Sequence, residues 1–274
     1  PVILFKSGTL VDRQLYLSTQ TEVLVYDVPS FTQRAYISLP IFNDVHHVRP
    51  TPAGTLLVAN TGLDMVLELS WQGAVLREWN VVGGDPWQGF QRDIDYRKGV
   101  STKPHKANPN YVFVLEQDLW VTRFVQRDAI SLTTPGDRIA IDLEKVHDGV
   151  VDQAEVFFTT VDGNVVVVDV PSRQVREVID LNAIDRRENT LGWCRSIHVD
   201  GDNLWVGFSR LRPTRIRDNV SWVKNGFRRM LPTRIACYSR SQSTLLCEID
   251  LEPYDLNAVF GIYPVPTVAD ATSS

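Results

Sequence analysis

Histidine is scarce in this chain of 274 residues, and its positions suggest metal chemistry. Four similar segments each carry a histidine shortly before a turn rich in Gly, Asp, Asn or Pro. A neutral imidazole is the commonest protein ligand of transition metals, and a nitrogen ligand set suits iron, copper or zinc. The pattern predicts one divalent metal, with Fe(II) favoured and Zn, Cu or Mn as alternatives. The predicted ligands are His47, His105, His147 and His198.

Carboxylates flank several of these histidines and are candidates for orienting them. A carboxylate that accepts the free imidazole N–H fixes the tautomer and raises the basicity of the ligand. Asp44, Glu144 and Asp148 have suitable positions, although Asp is also a common turn residue. His46 has the opposite strand parity to His47, so we expect it between blades or beside the metal ligands; an exchange of roles between His46 and His47 is the alternative.

The histidines recur because the chain itself repeats. Each of five units, about 55 residues long, shows short apolar strands separated by turns. Four units end in a similar triplet: Ile37–Leu39, Ile141–Leu143, Ile179–Leu181 and Ile249–Leu251. Four strands per unit predict an all-β, five-bladed β-propeller, with a six-bladed ring and a β-sandwich as alternatives.

The two ends of the chain also resemble each other, which predicts how the ring closes. Residues 257–264 resemble residues 43–50, the first strand of the second unit. We therefore expect a C-terminal strand to complete the first blade, giving one domain over residues 1–266. Residues 267–274 are small and polar, and we expect this tail to be disordered.

The repeat would bring the histidines together. The first strand of a propeller blade lines the central channel, so four equivalent histidines would converge on the axis. The matching position of the remaining blade is Gly261, which would leave one side open for substrate or dioxygen. Two alternatives stay open: a metal-free polar or catalytic cluster, and duplication of an ancestral blade without function.

Three long inserts, residues 82–104, 182–194 and 210–233, are expected on one face of the propeller. Residues 210–234 contain eight basic side chains and one acid, Asp218, with apolar residues at helical spacing. We predict a short basic amphipathic helix that acts as a lid over an anionic substrate. Arg195, Arg210 and Arg212 are the residues expected to orient the anion. Contact of residues 216–230 with a membrane surface, a dimer contact and a solvated helix are alternatives.

Composition limits the other function classes. The chain is 43% hydrophobic and 22% charged, which excludes disorder and coiled coil, and its net charge of −5 argues against nucleic acid as a partner. The three cysteines form no CxxC, so we expect reduced thiols and a cytoplasmic protein. Motifs for nucleotide binding and serine-hydrolase chemistry are absent from the sequence.

Residues 46–62 resemble blades of NHL-type and arylsulfotransferase-like propellers. The predicted four-histidine axis resembles the iron centre of carotenoid cleavage oxygenases, which have seven blades and a longer chain that this sequence does not align with. These resemblances imply a propeller and a histidine-based site, and fold alone never implies function.

The preferred hypothesis is a mononuclear metal-dependent enzyme, a non-haem iron oxygenase or a lyase, acting on a small anionic or partly aromatic substrate. The alternatives are a metal-free histidine-dependent transferase or lyase of the arylsulfotransferase-like type, and a non-catalytic propeller that binds a ligand or partner. The oligomeric state stays open.

Overall fold

The computed structural model describes residues 4–99, 102–186, 191–210 and 231–265, and its fold class is the predicted five-bladed β-propeller. Each blade is an antiparallel sheet of four strands that follow one another in the chain. No helix within the described residues is long and apolar enough to cross a membrane. The basic helix expected over residues 216–230 and the tail 267–274 lie outside the described residues.

Twenty strands form the five blades. The first blade contains β1 (Gly8–Val11), β2 (Gln14–Ser18), β3 (Val23–Asp27) and β4 (Thr32–Ile37). The second contains β5 (Val45–Pro50), β6 (Leu56–Asn60), β7 (Met65–Leu69) and β8 (Val75–Asn80). The third contains β9 (Pro109–Leu115), β10 (Asp118–Arg123), β11 (Asp128–Ser131) and β12 (Arg138–Ala140). The fourth contains β13 (Val150–Asp152), β14 (Glu155–Thr159), β15 (Asn164–Asp169) and β16 (Val175–Asp180). The fifth contains β17 (Trp193–Asp200), β18 (Asn203–Ser209), β19 (Arg234–Ser239) and β20 (Thr244–Asp250).

Helical structure is sparse in the described part of the chain. One short α-helix, α1 (Leu181–Asp185), follows β16, and Asp180 caps its first amides. Single 3-10 turns occupy Thr61–Leu63, Tyr96–Lys98 and Glu252–Tyr254. The strands therefore determine where the functional side chains lie.

Burial explains the composition of the strands. Every residue of the middle strands β6 and β7 is buried, so both strands read as nearly continuous apolar runs. The fourth strand β8 is exposed or half-buried along its whole length and carries Arg, Glu and Asn. Strands buried on both faces are the ones that the sequence pattern identifies most directly.

Two compact units divide the chain. The first unit comprises Pro1–Val125, Ile130–Asp137 and Tyr263–Ser274, and the second comprises Gln126–Ala129 and Arg138–Ile262. Each has its own apolar core, around Val48 and Leu67 in the first unit and around Val167 and Val206 in the second. The expectation of a single domain over residues 1–266 stays a prediction.

The first blade differs from the prediction in one strand. Its first strand is β1, which pairs with β2, and residues 257–264, all described, form no strand. Instead, the Val259 N–H donates a hydrogen bond of 3.0 Å to the Ser209 hydroxyl in the second unit. The predicted C-terminal strand is therefore wrong. The β1–β2 turn consists of Asp12 and Arg13, both with positive φ, and it lacks the Asn-Gly signature of such hairpins.

The third blade is shifted by one strand relative to the prediction. In sequence, Tyr111–Leu115 matches the apolar second strands of the other units, which predicts a second strand here, but it belongs to the first strand β9, because the chain turns at Glu116, where φ is +57°. The missing member is β11, which the sequence pattern did not indicate. His105 consequently lies ahead of its blade's first strand and not on it.

Candidate functional site

The histidines do not occupy equivalent positions in their blades. In the pairing of β5 with β6, His46 is a bulge residue without a partner position. His47 comes next and is paired with Ala59, the first pair after the bulge. In β17 the matching bulge is at Arg195, and His198 forms the third pair after it, with Trp205. His105 and His147 both precede their first strands. The predicted equivalence of four positions is therefore wrong, although His47 and His198 keep the same parity.

His47 is fully buried within the first unit, and both ring nitrogens have protein partners. The Val112 N–H donates to Nδ1 at 3.2 Å, so Nδ1 carries no proton. Nε2 therefore carries the proton and donates to the Gly8 carbonyl at 2.8 Å. The Tyr111 ring stacks on the imidazole with 3.7 Å between centroids. These contacts make His47 a cross-link between three first strands, and a metal would have to displace them.

His147 lies in the second unit in a sealed pair with Asp148. Its Nδ1 is 2.9 Å from Asp148 Oδ1, as expected for a carboxylate that orients an imidazole, and both side chains are buried. Burial raises the pKa of Asp148, although its hydrogen bond to His147 acts in the opposite direction. Burial and the nearby Asp148 also raise the pKa of the Cys194 thiol well above its ordinary value. We call His147 and Asp148 the sealed pair.

Of the other flanking carboxylates, Glu144 bonds the adjacent Lys145 amide at 2.8 Å. His198 lies on β17 and is half-buried.

Among the described residues, no group of three or more His, Cys, Asp and Glu side chains is arranged to hold a metal ion. Metal binding by His47, His105, His147 and His198 stays a prediction.

A different set of charged side chains does come together in the first unit. The Lys6 ammonium is 3.4 Å from Asp44 Oδ1, and His46 Nδ1 is 3.8 Å from the same oxygen. Lys103 and His105 lie close enough for their charges to lower the pKa of Asp44. We call this set the polar cluster; its members are Lys6, Asp44, His46, Lys103 and His105.

Local backbone features place Asp44 and His46. Asp44 precedes β5 with φ at +47°, a left-handed conformation that is unusual for a residue other than Gly. His46 is the bulge residue of β5, and bulges commonly redirect a side chain next to an active site. The His46 Nδ1 consequently lies 3.0 Å from the Asp44 backbone carbonyl.

A buried carboxylate holds the loop that carries His105. Asp64 accepts hydrogen bonds from the backbone amides of Lys106, Ala107 and Asn108 at 2.6 to 3.0 Å. His105 Nδ1 in turn lies 3.2 Å from Asn108 Oδ1. Asp64 is 6% exposed, so these bonds fix the loop without competition from water. Asp64 thus acts as a positioning residue for His105.

The charges of the polar cluster favour an anion. Burial acts to raise the pKa of Asp44, but His46, Lys6, Lys103 and His105 together outweigh it and lower the pKa below its ordinary value. Asp44 therefore stays ionised, and a single carboxylate faces two ammonium groups and two imidazoles. The surplus of positive charge can bind a carboxylate or a similar group.

The predicted anion-orienting arginines have separate surroundings. Arg195 lies in the second unit, with its guanidinium over the rings of Trp193 at 4.4 Å and Phe260 at 5.2 Å. Arg210 Nη1 pairs with Glu252 at 3.1 Å. Arg212 lies outside the described residues. The expected role of these three arginines stays a prediction.

Sequence reasoning missed Lys6, Lys103 and Asp64 and treated His46 as secondary. The available signal was the sequence Asn43–His47, in which an acid and two adjacent histidines precede an apolar strand. The two lysines are distant in sequence, and only the packing of the first blades brings them to Asp44.

Comparison with known proteins supports the fold. No protein-family model matches the sequence, and no curated protein matches it. A protein of unknown function from Bacteroides caccae is similar in structure, with 11% identity, TM-score 0.63, and coverage of 94% of this chain and 85% of that one.

Two lyases are also similar in structure. For a streptogramin B lyase the identity is 14% and the TM-score 0.53, over 89% of this chain and 67% of that one. For a catalytically inactive variant of virginiamycin B lyase from Staphylococcus aureus with quinupristin, identity is 10% and TM-score 0.54, over 90% and 70% of the two chains. At these identities the similarity establishes the propeller fold alone.

Proposed function

We propose that this protein is a lyase that acts on a small anionic molecule at the polar cluster. The observation that carries the proposal is the surplus of basic groups around Asp44, with two imidazoles among them. Lys103 is exposed and His105 half-buried, so a small molecule can reach the cluster. Lyases among proteins of similar fold support this reaction class without establishing it.

His46 is suited to act as the base. Its Nδ1 lies 3.0 Å from a backbone carbonyl, which can only accept a hydrogen bond, so Nδ1 carries the proton of the neutral ring. Nε2 is then the basic nitrogen. The Asp44 carboxylate, 3.8 Å from Nδ1, stabilises the imidazolium that forms when Nε2 takes a proton.

The remaining groups complete an elimination. Lys103 helps to bind the substrate anion, and Lys6 stabilises the negative charge that develops when the C–H bond next to a carbonyl breaks. The electron pair of that bond forms a carbon–carbon double bond as the bond to the leaving group breaks. His105, protonated, gives its proton to the leaving group, so one proton is taken and one is returned.

The metal-dependent enzyme predicted from the sequence is the competing hypothesis. It has less support, because protein groups occupy both nitrogens of His47 and because two lysines next to Asp44 repel a cation. Elemental analysis of the purified protein tests it. One transition metal per chain, lost in a His105→Ala, His198→Ala double variant, would favour the metal-dependent enzyme.

A screen of small carboxylates, hydroxy acids and cyclic esters tests the lyase proposal, with ultraviolet absorbance reporting a new conjugated double bond. We expect His46→Ala and His105→Ala to lower kcat by about 10² to 10⁴-fold. His198→Ala is the matched control, because His198 lies outside the cluster, and it should keep its activity. Full activity of His46→Ala, or complete loss of wild-type activity in a chelator, would contradict the proposal.

A further inference from the structure

Arg49 in the first unit has no hydrogen-bond or ion-pair partner among the described residues. It is the next-to-last residue of β5, pairs with Leu57, and is half-buried. Its Nε is closed to solvent and has no acceptor. Across residues 4–99, 102–186, 191–210 and 231–265, no hydrogen bond or ion pair reaches its guanidinium.

Arg234 in the second unit is more deeply buried than Arg49, and its Nε and Nη1 both have hydrogen-bond partners. Its Nε donates to Glu248 Oε1 at 2.6 Å, and its Nη1 donates to the Leu191 carbonyl at 2.6 Å. Its guanidinium also lies 4.4 Å from the centre of the Phe208 ring. Burying the Arg49 Nε without such a partner is costly, and a bound ligand could supply the missing acceptor.

The surroundings of Arg49 show where that group would bind. Residues two apart on a strand share a face, so Arg49 lies on the same side of β5 as His47. The His47 ring stacks on Tyr111 of β9, which places this side of β5 against the first strand of the third blade. Burial lowers the pKa of Arg49, and Tyr111 is the ionisable neighbour that opposes this effect.

We propose that Arg49 and Tyr111 form a binding site for the carboxylate of a small organic acid, between β5 and β9. The planar guanidinium matches a carboxylate with two parallel hydrogen bonds, and the Tyr111 hydroxyl can donate a third. Arg49 lies three positions after His46, about 10 Å along the strand, so the site is distinct from the polar cluster. It does not depend on the proposed lyase chemistry, because it shares no residue with that cluster.

A ¹⁹F NMR titration with trifluoroacetate tests the site directly. We expect saturable binding to the wild type and affinity at least about tenfold weaker in Arg49→Met, which keeps an unbranched apolar side chain without the charged guanidinium. Arg34→Met is the matched control, because Arg34 is exposed and paired with Asp27. A Lys6→Met, Lys103→Met double variant reports any binding by the polar cluster and should keep the Arg49-dependent binding.

Circular dichroism and thermal melting check that each variant folds. If Arg49→Met does not fold, Arg49→Lys takes its place, because it keeps the charge but loses the planar fork, and it should still weaken binding several-fold. Unchanged affinity after replacement of Arg49, or no saturable binding to the wild type, would overturn the proposal. Stronger displacement of the probe by inorganic phosphate than by acetate would overturn the carboxylate assignment.

Discussion

The polar cluster and the sealed pair are both built on a histidine beside an aspartate, near the start of a first strand. In the sealed pair the side chains of His147 and Asp148 are 4% and 2% exposed. In the polar cluster the side chains of His46 and Asp44 are 13% and 23% exposed, and further basic groups surround the carboxylate. The same residue pair is therefore part of a core in one unit, and in the other it forms the site at which we propose that a ligand binds and is deprotonated. The two pairs differ in their exposure to water and in the number of basic groups around the carboxylate.

Removal of the sealed carboxylate should have the largest effect on stability. Asp148→Ala leaves the His147 Nδ1 buried without its partner at 2.9 Å, and we expect a loss of about 2–4 kcal/mol in the free energy of unfolding. Asp44→Ala, measured by urea denaturation in parallel, should cost less than half as much, because water reaches that site. Equal losses would mean that the two pairs do not differ as described.

His47 is a second structural histidine, and its contribution to stability can be compared with that of His46 in the polar cluster. His47→Leu leaves the Val112 N–H and the Gly8 carbonyl without their imidazole partner, and we expect a loss of about 1–3 kcal/mol in thermal or urea unfolding. His46→Leu should change stability by less than about 1 kcal/mol. The metal content of purified His47→Leu should equal that of the wild type, and a loss of bound metal would restore His47 as a ligand.

The two carboxylates should affect stability with opposite dependence on pH. The pKa of Asp44 is lowered by folding, so its contribution is present at neutral pH and is lost as the pH falls through the folded value. The pKa of Asp148 is raised by folding, so its burial costs stability as the pH rises above the unfolded value.

Denaturation of Asp44→Asn and Asp148→Asn between pH 3 and 7 separates these contributions. Relative to the wild type, Asp44→Asn should lose up to about 1 kcal/mol at neutral pH and less in acid. Asp148→Asn should show the reverse trend. The same trend in both variants would contradict the assigned directions.

The smallest effect should come from the outer lysine of the polar cluster. Lys103 is exposed, so its charge acts on the substrate through water, and Lys103→Met should raise KM about three- to tenfold with little change in kcat. Lys98→Met is a matched surface control, because Lys98 is exposed and paired with Asp95. A large fall in kcat with Lys103→Met would give Lys103 a role in the chemical step.

The apolar repeat was sufficient to predict the fold class, because fully buried middle strands such as β6 and β7 have few alternatives in sequence. The repeat did not predict the strand positions correctly where turn residues determine the path of the chain. Asp12 and Arg13 form a hairpin turn that lacks the usual glycine. Glu116 forms the turn between the first and second strands of the third blade, and no turn residue marks it in the sequence.

The site was predicted less completely than the fold. Asp148 could be named as one of three candidate partners for a histidine because it is adjacent to His147, but only the structure selects it. The approach of Lys6 to Asp44 could not be predicted, because it depends on the packing of β1 beside β5, where the Ser7 N–H bonds the His46 carbonyl at 3.0 Å. The lack of a partner for Arg49 among the described residues is likewise a property of three-dimensional packing.

The order of the strands has a consequence for folding kinetics. Each of the five sheets is formed by four strands consecutive in the chain, so each strand pairing closes a loop within its own blade. Short loops cost little entropy to close, and a fold dominated by near-neighbour pairings has a low contact order for an all-β protein. Individual blades can therefore gain structure early. The pairing of β18 with β19, which spans residues 210–233, closes a longer loop and should be among the later ones to form.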